Sequence, residues 1–138
     1  MTQTVAECMT PSPTTIEATR SVRDVAELMA SGDVGAVVVV ENSEVTGIVT
    51  DRDLVVRVLA TGGSPEDVVR QVVSGTLVTV KPDDSAEQAA QVMRDNAVRR
   101  VPVMQAGELV GIVALGDLAI ERDPRSALAD ISAEEPNT

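Results

Sequence analysis

The chain contains one unit of sequence twice, at a spacing of 64 residues. The segment GIVTDRDL at 47–54 returns as GIVALGDL at 111–118; Thr50 is replaced by Ala114, whereas the last aspartate, Asp53 or Asp117, is kept. Weaker matches at the same spacing cover most of each half, and a fixed period of this kind indicates a duplicated structural unit. A unit of about 60 residues is marginal alone, so we expect the two copies to fold as one body.

Each copy shows the same order of predicted elements. Ser21 and Ser85 each begin a helical pattern of apolar residues and carry Asp24 or Gln88 three positions later, as in a capping box. Two β-branched runs joined by a polar turn then predict a hairpin, and a second helix follows. The short extended pieces are predicted at Thr14–Ile16 and Leu77–Val80, the hairpin strands at 36–40, 45–49, 100–104 and 109–113, and helical lead-in segments at Val5–Met9 and Pro65–Val73.

This order predicts the fold class and the domain bounds. Two β-α-β-β-α repeats make a mixed α/β (α+β) fold, and the nearly all-apolar hairpins predict that the repeats pack with pseudo-twofold symmetry into one module. We expect repeat 1 at residues 5–60, a linker at 61–68, repeat 2 at 69–122 and an acidic, partly disordered tail at 123–138.

Composition excludes several kinds of site and partner. The formal net charge of −11 disfavours nucleic acid and membrane surfaces, and no segment has the pattern of a signal peptide or a membrane span, so we expect a cytoplasmic protein. The chain has no histidine, no aromatic residue and one cysteine, Cys8. We therefore expect no enzyme activity, no metal site and no obligatory cofactor, and a planar ligand would be held by aliphatic side chains and backbone.

Several motifs recur in order and at matched spacing in both halves. In the first half these are MTPSPTTI, VAELM, GAVVVV and GIVTDRDL, and in the second LVTVKPDDSAEQAAQVM, VRRVPVM and GELVGIVALGDL. Each set resembles one CBS domain, and the chain is similar to stand-alone tandem-CBS proteins (Bateman modules) of bacteria, some of which are induced by stress or hypoxia. The resemblance implies a regulatory module that binds an adenosine-containing ligand such as AMP, ADP, ATP or S-adenosylmethionine between the repeats. It also implies a homodimer that modulates a partner protein.

The same resemblance implies a set of ligand-binding residues in the first repeat. Gly47, Thr50 and Asp53 match the family's ribose motif, and the chemistry is reasonable because a carboxylate can accept hydrogen bonds from both hydroxyls of a ribose. Adenine would lie against the hairpin strands and the short extended piece that precedes the first helix. The residues implied there are Val37, Val39, Ile48, Thr14, Thr15 and Ile16.

In the second repeat the implied site is altered. Asp117 is kept, but Ala114 removes one hydroxyl, so we expect a weaker site. Arg99 and Arg100, which precede Pro102 in the predicted strand, are candidates to approach a phosphate. They could equally be surface arginines that balance the acidic excess.

Helix capping is the alternative explanation for the ribose motif. Thr50 followed three residues later by Asp53 is also an ordinary helix start, with a capping threonine and an acidic residue in the first turn. The second copy favours binding, because Ala114 cannot cap through its side chain and yet Asp117 is present. We therefore expect a ligand-sensing module, and the alternative function is a structural dimerisation or protein-interaction module without bound nucleotide.

Overall fold

The computed structural model describes residues 3–73 and 77–122, and for 119–122 the backbone alone. The predicted tail at 123–138 lies outside the described residues. The strands are β1 (Thr10–Pro11), β2 (Thr15–Glu17), β3 (Ala36–Glu41), β4 (Glu44–Thr50), β5 (Arg100–Gln105) and β6 (Glu108–Ala114). The helices are α1 (Val5–Cys8), α2 (Val22–Gly32), α3 (Asp51–Asp53), which continues as a π-helix (Leu54–Leu59), a 3-10 turn (Val69–Gln71), α4 (Ala86–Asn96) and α5 (Leu115–Arg122).

The described part of the chain forms two compact units, each with a three-stranded sheet and helices. The predicted mixed α/β fold class is therefore confirmed. The first unit, residues 14–73 with Leu77, holds the sheet in the order β2-β3-β4, with β2 parallel to β3 and β3 antiparallel to β4. Its core lies between one face of this sheet and α2, where Val25 and Met29 meet Val37, Val39 and Val49.

The second unit combines residues 3–13 with 78–122. Its hairpin β5–β6 repeats the register of β3–β4, and β1 adds antiparallel to the other edge of β6. The predicted first strand of this repeat is reduced to a single parallel bridge between Val80 and Val103. Val5 and Cys8 of α1 belong to the core of this unit, together with Met93 of α4.

Each lead-in segment supplies backbone acceptors to a helix start. The Ala86 N–H at the start of α4 donates to the Gln3 carbonyl at 2.8 Å, and the Val22 N–H at the start of α2 donates to the Asp67 carbonyl at 2.8 Å. These bonds satisfy amides that a helix start leaves unpaired. The N-terminal lead-in therefore completes the second repeat, and the segment around Asp67 completes the first.

The predicted helical lead-in at 65–73 is wrong for most of its length, because only the 3-10 turn Val69–Gln71 forms. Two amides that a helix would use are bound elsewhere: the Val69 N–H donates to the Arg20 carbonyl and the Arg70 N–H to the Ala18 carbonyl. Val68 also forms an antiparallel bridge with Ser21. Pairing with the segment before α2 thus replaces the internal hydrogen bonds of a helix.

Candidate functional site

The aspartate of the first copy is fixed by a reciprocal capping box. The Asp53 N–H donates to Thr50 Oγ1 at 3.1 Å, and the Thr50 N–H donates to Asp53 Oδ2 at 2.9 Å. Asp53 Oδ1 lies 3.5 Å from Nε of Arg57, and the Asp53 side chain is 18% exposed. The capping interpretation of this motif is therefore realised in the structure, and it leaves Oδ1 as the less constrained oxygen.

The aspartate of the second copy performs the same backbone function without the threonine. Asp117 Oδ2 accepts the Ala114 N–H at 3.0 Å. The presence of Asp117 beside an alanine, which we took to favour binding, therefore has a structural explanation, because the carboxylate itself receives a backbone N–H at the start of α5. The presence of Asp117 alone does not separate capping from ligand binding.

The electrostatic surroundings of Asp117 are distinctive. Burial raises the pKa of this carboxyl group, while the hydrogen bond from Ala114 and the positive charge of Arg100 act in the opposite direction. Among the described side chains, no cationic nitrogen lies within 4 Å of the carboxylate. Asp117 is thus a half-buried acid with a guanidinium within electrostatic range but no direct ion pair in the described residues.

The residues predicted to hold adenine lie on two opposite faces of the first sheet. Val37 and Val39 are 0% exposed and Ile16 is 7% exposed, and all three belong to the core that packs on α2. Val37 and Val39 leave no side-chain surface for a ligand in this core, whereas the contact expected for Ile16, which also lines a surface groove, stays a prediction. In the two valines, the apolar character serves packing.

The opposite face of this sheet carries the other predicted residues. The register places Thr15 beside Val38 and Val38 beside Ile48. Two residues further along the same strands, it pairs Ala36 with Thr50. Because side chains in one cross-strand row share a face, these residues lie opposite the core. Ile48 and Thr50 are half-buried there.

Two further observations concern this face. Val38, which the sequence did not single out, is also fully buried. Its place on this face follows from its register with Ile48. Thr14 contributes its carbonyl to the Val38 N–H at 2.9 Å.

The corresponding face of the second sheet carries Arg100. The register pairs Arg100 with Ala114 and Pro102 with Ile112. Pro102 is buried, and its carbonyl accepts the Val80 N–H at 3.1 Å. Arg99 lies before the strand with an exposed side chain, and its carbonyl accepts the Leu115 N–H at 2.8 Å.

The repeated glycine has a structural role in the second copy. A Cβ at Gly111 would clash with Sδ of Met9 and would lie 3.0 Å from the Thr10 carbonyl oxygen. The glycine thus permits the close approach of β1 to β6. At Gly47, which is buried opposite Val39, the expected approach of a ligand stays a prediction.

A surface groove of about 500 Å³ lies in the first unit, beside the edge strand β2 and one face of α2. Its lining includes Thr15 and Ile16 but neither Thr50 nor Asp53. The remaining lining residues are Glu17, Arg20, Asp24, Glu27, Leu28 and Ser31.

Two further searches cover the described residues. No group of three or more Cys, Asp and Glu side chains is arranged there to hold a metal ion. None of the helices has both the length and the hydropathy to cross a membrane.

The family of the chain follows from both halves together. The CBS domain family matches residues 5–60 and again residues 69–122. The chain therefore belongs to the CBS domain family and carries two such domains. Proteins of this kind are typically regulatory rather than enzymatic.

Two curated bacterial proteins are related along most of the chain. The CBS domain-containing protein YhcV of Bacillus subtilis is 39% identical over 132 residues, which is 93% of this chain and 94% of that protein. Hypoxic response protein 1 of Mycobacterium tuberculosis is 33% identical over 96 residues, 68% of this chain and 67% of that protein. The resemblance to bacterial two-CBS proteins, including a hypoxia-response protein, is confirmed.

Solved structures share the fold. The CBS domain protein PAE2072 from Pyrobaculum aerophilum, complexed with AMP, has a TM-score of 0.78 and 27% identity, covering 92% of this chain and 98% of its own. A hexameric CBS-CP12 protein from bloom-forming cyanobacteria has a TM-score of 0.80 and 27% identity, covering 95% and 81%. Hypoxic Response Protein I with two coordinated zinc ions has a TM-score of 0.75 and 29% identity, covering 85% and 97%.

Proposed function

We propose that this chain is a regulatory module that binds an adenosine-containing nucleotide, AMP, ADP, ATP or S-adenosylmethionine, and thereby modulates a partner protein. The observation that carries the proposal is the arrangement of Asp53 and Asp117. Each carboxylate accepts a hydrogen bond from a backbone N–H through one oxygen, and this bond orients the group. The second oxygen is then available to accept hydrogen bonds from a ligand. The AMP complex of the Pyrobaculum protein supports an adenosine ligand in this fold.

The first copy offers the fuller set of groups for a ribose. Asp53 Oδ1 can accept a hydroxyl of the sugar once Arg57, whose side chain is half exposed, moves aside. Thr50 Oγ1 accepts the Asp53 N–H, so its own O–H remains able to donate to a ligand oxygen. Capping and binding are therefore compatible at this position, because they use different atoms.

Regulation requires that the ligand distinguish two states of the module. A ligand with equal affinity for both states would shift neither, however tightly it bound. Asp53 and Asp117 lie in the first turn of the closing helix of their repeats, so a hydrogen bond from a sugar to either carboxylate acts directly on a helix start. We propose that ligand binding changes the affinity of the module for its partner protein through these helix starts.

Replacement of Asp53 by asparagine separates capping from binding. Asp53→Asn keeps an amide oxygen that can accept the Thr50 N–H, whereas the charge that strengthens a bond from the ribose is lost. We expect isothermal titration calorimetry of the full chain to show micromolar or tighter binding of at least one of the four nucleotides, with affinity about tenfold weaker in the variant.

Asp51→Asn is the matched control for that substitution. Asp51 lies in the same turn and carries the same charge, but its carboxylate accepts only the N–H of the adjacent Arg52 among the side-chain hydrogen bonds of the described residues. We expect nucleotide affinity close to that of the wild type. Binding that is unchanged in Asp53→Asn, or equally weakened in both variants, would contradict the proposed role of Asp53.

A structural dimerisation or protein-interaction module is the second candidate. It is favoured by the exposed apolar side chains of Val55, Val56 and Leu59 on the closing helix of the first repeat; Leu59 is 70% exposed. Apolar side chains grouped on one surface are typical of association surfaces, and a hexameric relative of this fold is known. If this candidate is correct, light scattering should show that the chain self-associates, and calorimetry should detect no binding of any of the four nucleotides.

A further inference from the structure

The strand β2 lies at one edge of the first sheet, and its outer side carries open backbone groups. Alternate residues of β2 and its flanks bond to β3; the Ala18 N–H, for example, donates to the Val40 carbonyl at 2.8 Å. Backbone groups alternate in direction along a strand, so those of Thr15 and Glu17 point away from β3. Of these four groups, only the Glu17 carbonyl is bonded within the described residues, by the Arg20 N–H at 3.0 Å.

The second repeat closes the equivalent edge position with a side chain. Lys81 occupies the position of Glu17. Asp84, at the position of Arg20, donates its N–H to the Lys81 carbonyl at 3.1 Å and accepts the Lys81 N–H through its carboxylate at 2.9 Å. An arginine side chain has no acceptor, so Arg20 cannot do the same for the Glu17 N–H. The turn is therefore shared by the two copies, but the edge amide is closed only in the second.

The open edge borders the surface groove of about 500 Å³ that β2 forms with α2. Leu28 of α2 is half-buried and gives this groove apolar surface beside Ile16. A strand added at the edge would place alternate side chains on the two faces of the sheet. One set would then lie toward α2 and Leu28, and the other toward the face that carries Thr15.

The charge of the groove selects the kind of strand that it favours. Of the three carboxylates in the lining, that of Asp24 is paired with Arg20, whose Nε lies 2.8 Å from Oδ2. Glu17 and Glu27 have no cationic nitrogen within 4 Å among the described side chains. In the second repeat the equivalent residues are a lysine and a glutamine. The groove of the first repeat is therefore complementary to a segment with positive side chains.

Charge disfavours this chain itself as the occupant. The segment 123–138, outside the described residues, contains four acidic residues and one arginine, and the whole chain has a net charge of −11. This tail or a second copy would therefore bring negative charge to a negative groove. An occupant of positive charge comes from a different protein.

We propose that the outer edge of β2 binds a basic, extended segment of a partner protein as an added strand. The backbone of that segment pairs with Thr15 and Glu17. Its cationic side chains lie beside the carboxylates of Glu17 and Glu27, and an apolar side chain packs on Leu28. This inference goes beyond the proposed function, which leaves the partner unspecified, and it does not require a nucleotide, because Asp53 is not part of the groove.

Short peptides test strand addition in the full chain without nucleotide. The probe is a peptide of about six residues, two central valines flanked by lysines, with both ends blocked. In an NMR titration, we expect the backbone amide signals of Thr15 and Glu17 to shift, because both N–H groups acquire an acceptor. The same peptide with N-methyl groups on both valines keeps its charge but loses backbone donors, and it should bind about tenfold more weakly.

Substitutions of Arg20 separate strand addition from simple attraction between charges. Arg20→Asp supplies the acceptor that closes the Lys81 N–H in the second repeat, so peptide affinity should fall about tenfold although the groove becomes more acidic. Arg20→Ala is the matched control, since it removes the same cation without adding an acceptor. It should bind the peptide at least as tightly as the wild type.

The contribution of charge is measured at Glu27. Glu27→Gln should weaken binding about threefold at low salt, and this loss should shrink as salt rises. Glu87→Gln removes an equal charge from an exposed position of α4 and should leave the affinity unchanged. Circular dichroism checks that each variant is folded; if Arg20→Asp is not, the N-methylated peptide and Glu27→Gln carry the test.

The outcomes that overturn this inference leave nucleotide binding untouched. They are an absence of peptide binding, amide shifts that omit Thr15 and Glu17, or equal affinity for the N-methylated peptide. Tighter binding to Arg20→Asp than to Arg20→Ala would show attraction between charges without strand addition. Conversely, a chain that binds the peptide as expected but none of the four nucleotides would overturn the proposed function alone.

Discussion

At the scale of single residues, Asp53 and Asp117 share a backbone role and differ in their surroundings. Both accept an N–H at the start of a closing helix, but only Asp53 has an arginine nitrogen within 4 Å among the described residues. The two copies therefore differ at the carboxylate oxygen that does not accept the backbone N–H, and they agree at the oxygen that does. This difference has consequences for stability as well as for binding.

The raised pKa of Asp117 predicts how its removal changes stability with pH. Burial makes the folded chain hold the carboxyl proton more tightly than the unfolded chain does, so ionisation costs stability as pH rises through the folded pKa. Asp117→Asn keeps an acceptor for the Ala114 N–H and carries no charge. We expect its free energy of unfolding, relative to wild type, to increase from about pH 3 to pH 7 in urea denaturation.

Asp24 provides a control of opposite sign. Its hydrogen bond from Arg20 lowers the pKa, so the charged carboxylate contributes stability above its unfolded pKa, and this contribution is lost as pH falls through the folded pKa. Asp24→Asn should therefore lose stability relative to wild type as pH rises over the same range. Curves with the same slope for both variants would show that burial is not the dominant influence on Asp117.

The sequence could predict which residues share a repeat unit but not every side-chain direction. The motif at Thr50 and Asp53 correctly marked a helix start. The run Val37–Val40 contains no polar residue, so nothing in it reveals which valines face α2. Cross-strand register supplies that information, and it assigned Val37 and Val39 to the core.

At the scale of elements, side-chain hydrogen bonds explain where α2 and α4 begin. Ser21 and Ser85 cap α2 and α4 as expected, through Oγ atoms that accept the N–H groups of Asp24 and Gln88. Helix ends depend on backbone conformation more than on side-chain hydrogen bonds. The left-handed residues that follow the helices are Asp33, after Gly32, and Ala97, after Asn96.

Ala97 provides a direct test of this helix end. Its φ is +53° and its ψ is +41°, a conformation that strains an alanine and suits a glycine. We expect Ala97→Gly to raise the free energy of unfolding by about 0.5–1 kcal/mol in chemical denaturation, even though glycine is more flexible in the unfolded chain.

Ala26 is the matched site for the same substitution. It is exposed in the interior of α2, where its backbone is helical. Ala26→Gly should lower the free energy of unfolding by about 1 kcal/mol. A loss of stability in Ala97→Gly as well would show that the left-handed backbone at 97 is not strained.

At the scale of the whole molecule, chain order and compact units do not coincide. Sequence similarity pairs each lead-in with the repeat that follows it, because the period of 64 residues includes Val5 and Val69. In the structure Val5 is buried in the core that holds α4, and Val69 is buried in the core that holds α2. A repeat period identifies equivalent residues, but it carries no information about which copy of the sheet a lead-in will cover.

Reciprocal variants test this arrangement. Val5→Ala and Val69→Ala remove the same two methyl groups from equivalent, fully buried positions, at a cost of about 1.5–3 kcal/mol each. We expect hydrogen exchange followed by mass spectrometry to show weaker protection at 86–118 in Val5→Ala, and at 15–58 in Val69→Ala, because each cavity opens in a different core. The opposite pattern, with Val5→Ala weakening 15–58, would mean that each lead-in completes its own repeat. An equal loss of protection in both ranges would mean that the two cores open together. Packing of each lead-in in the core of the other repeat would then have no separate effect on the stability of either repeat.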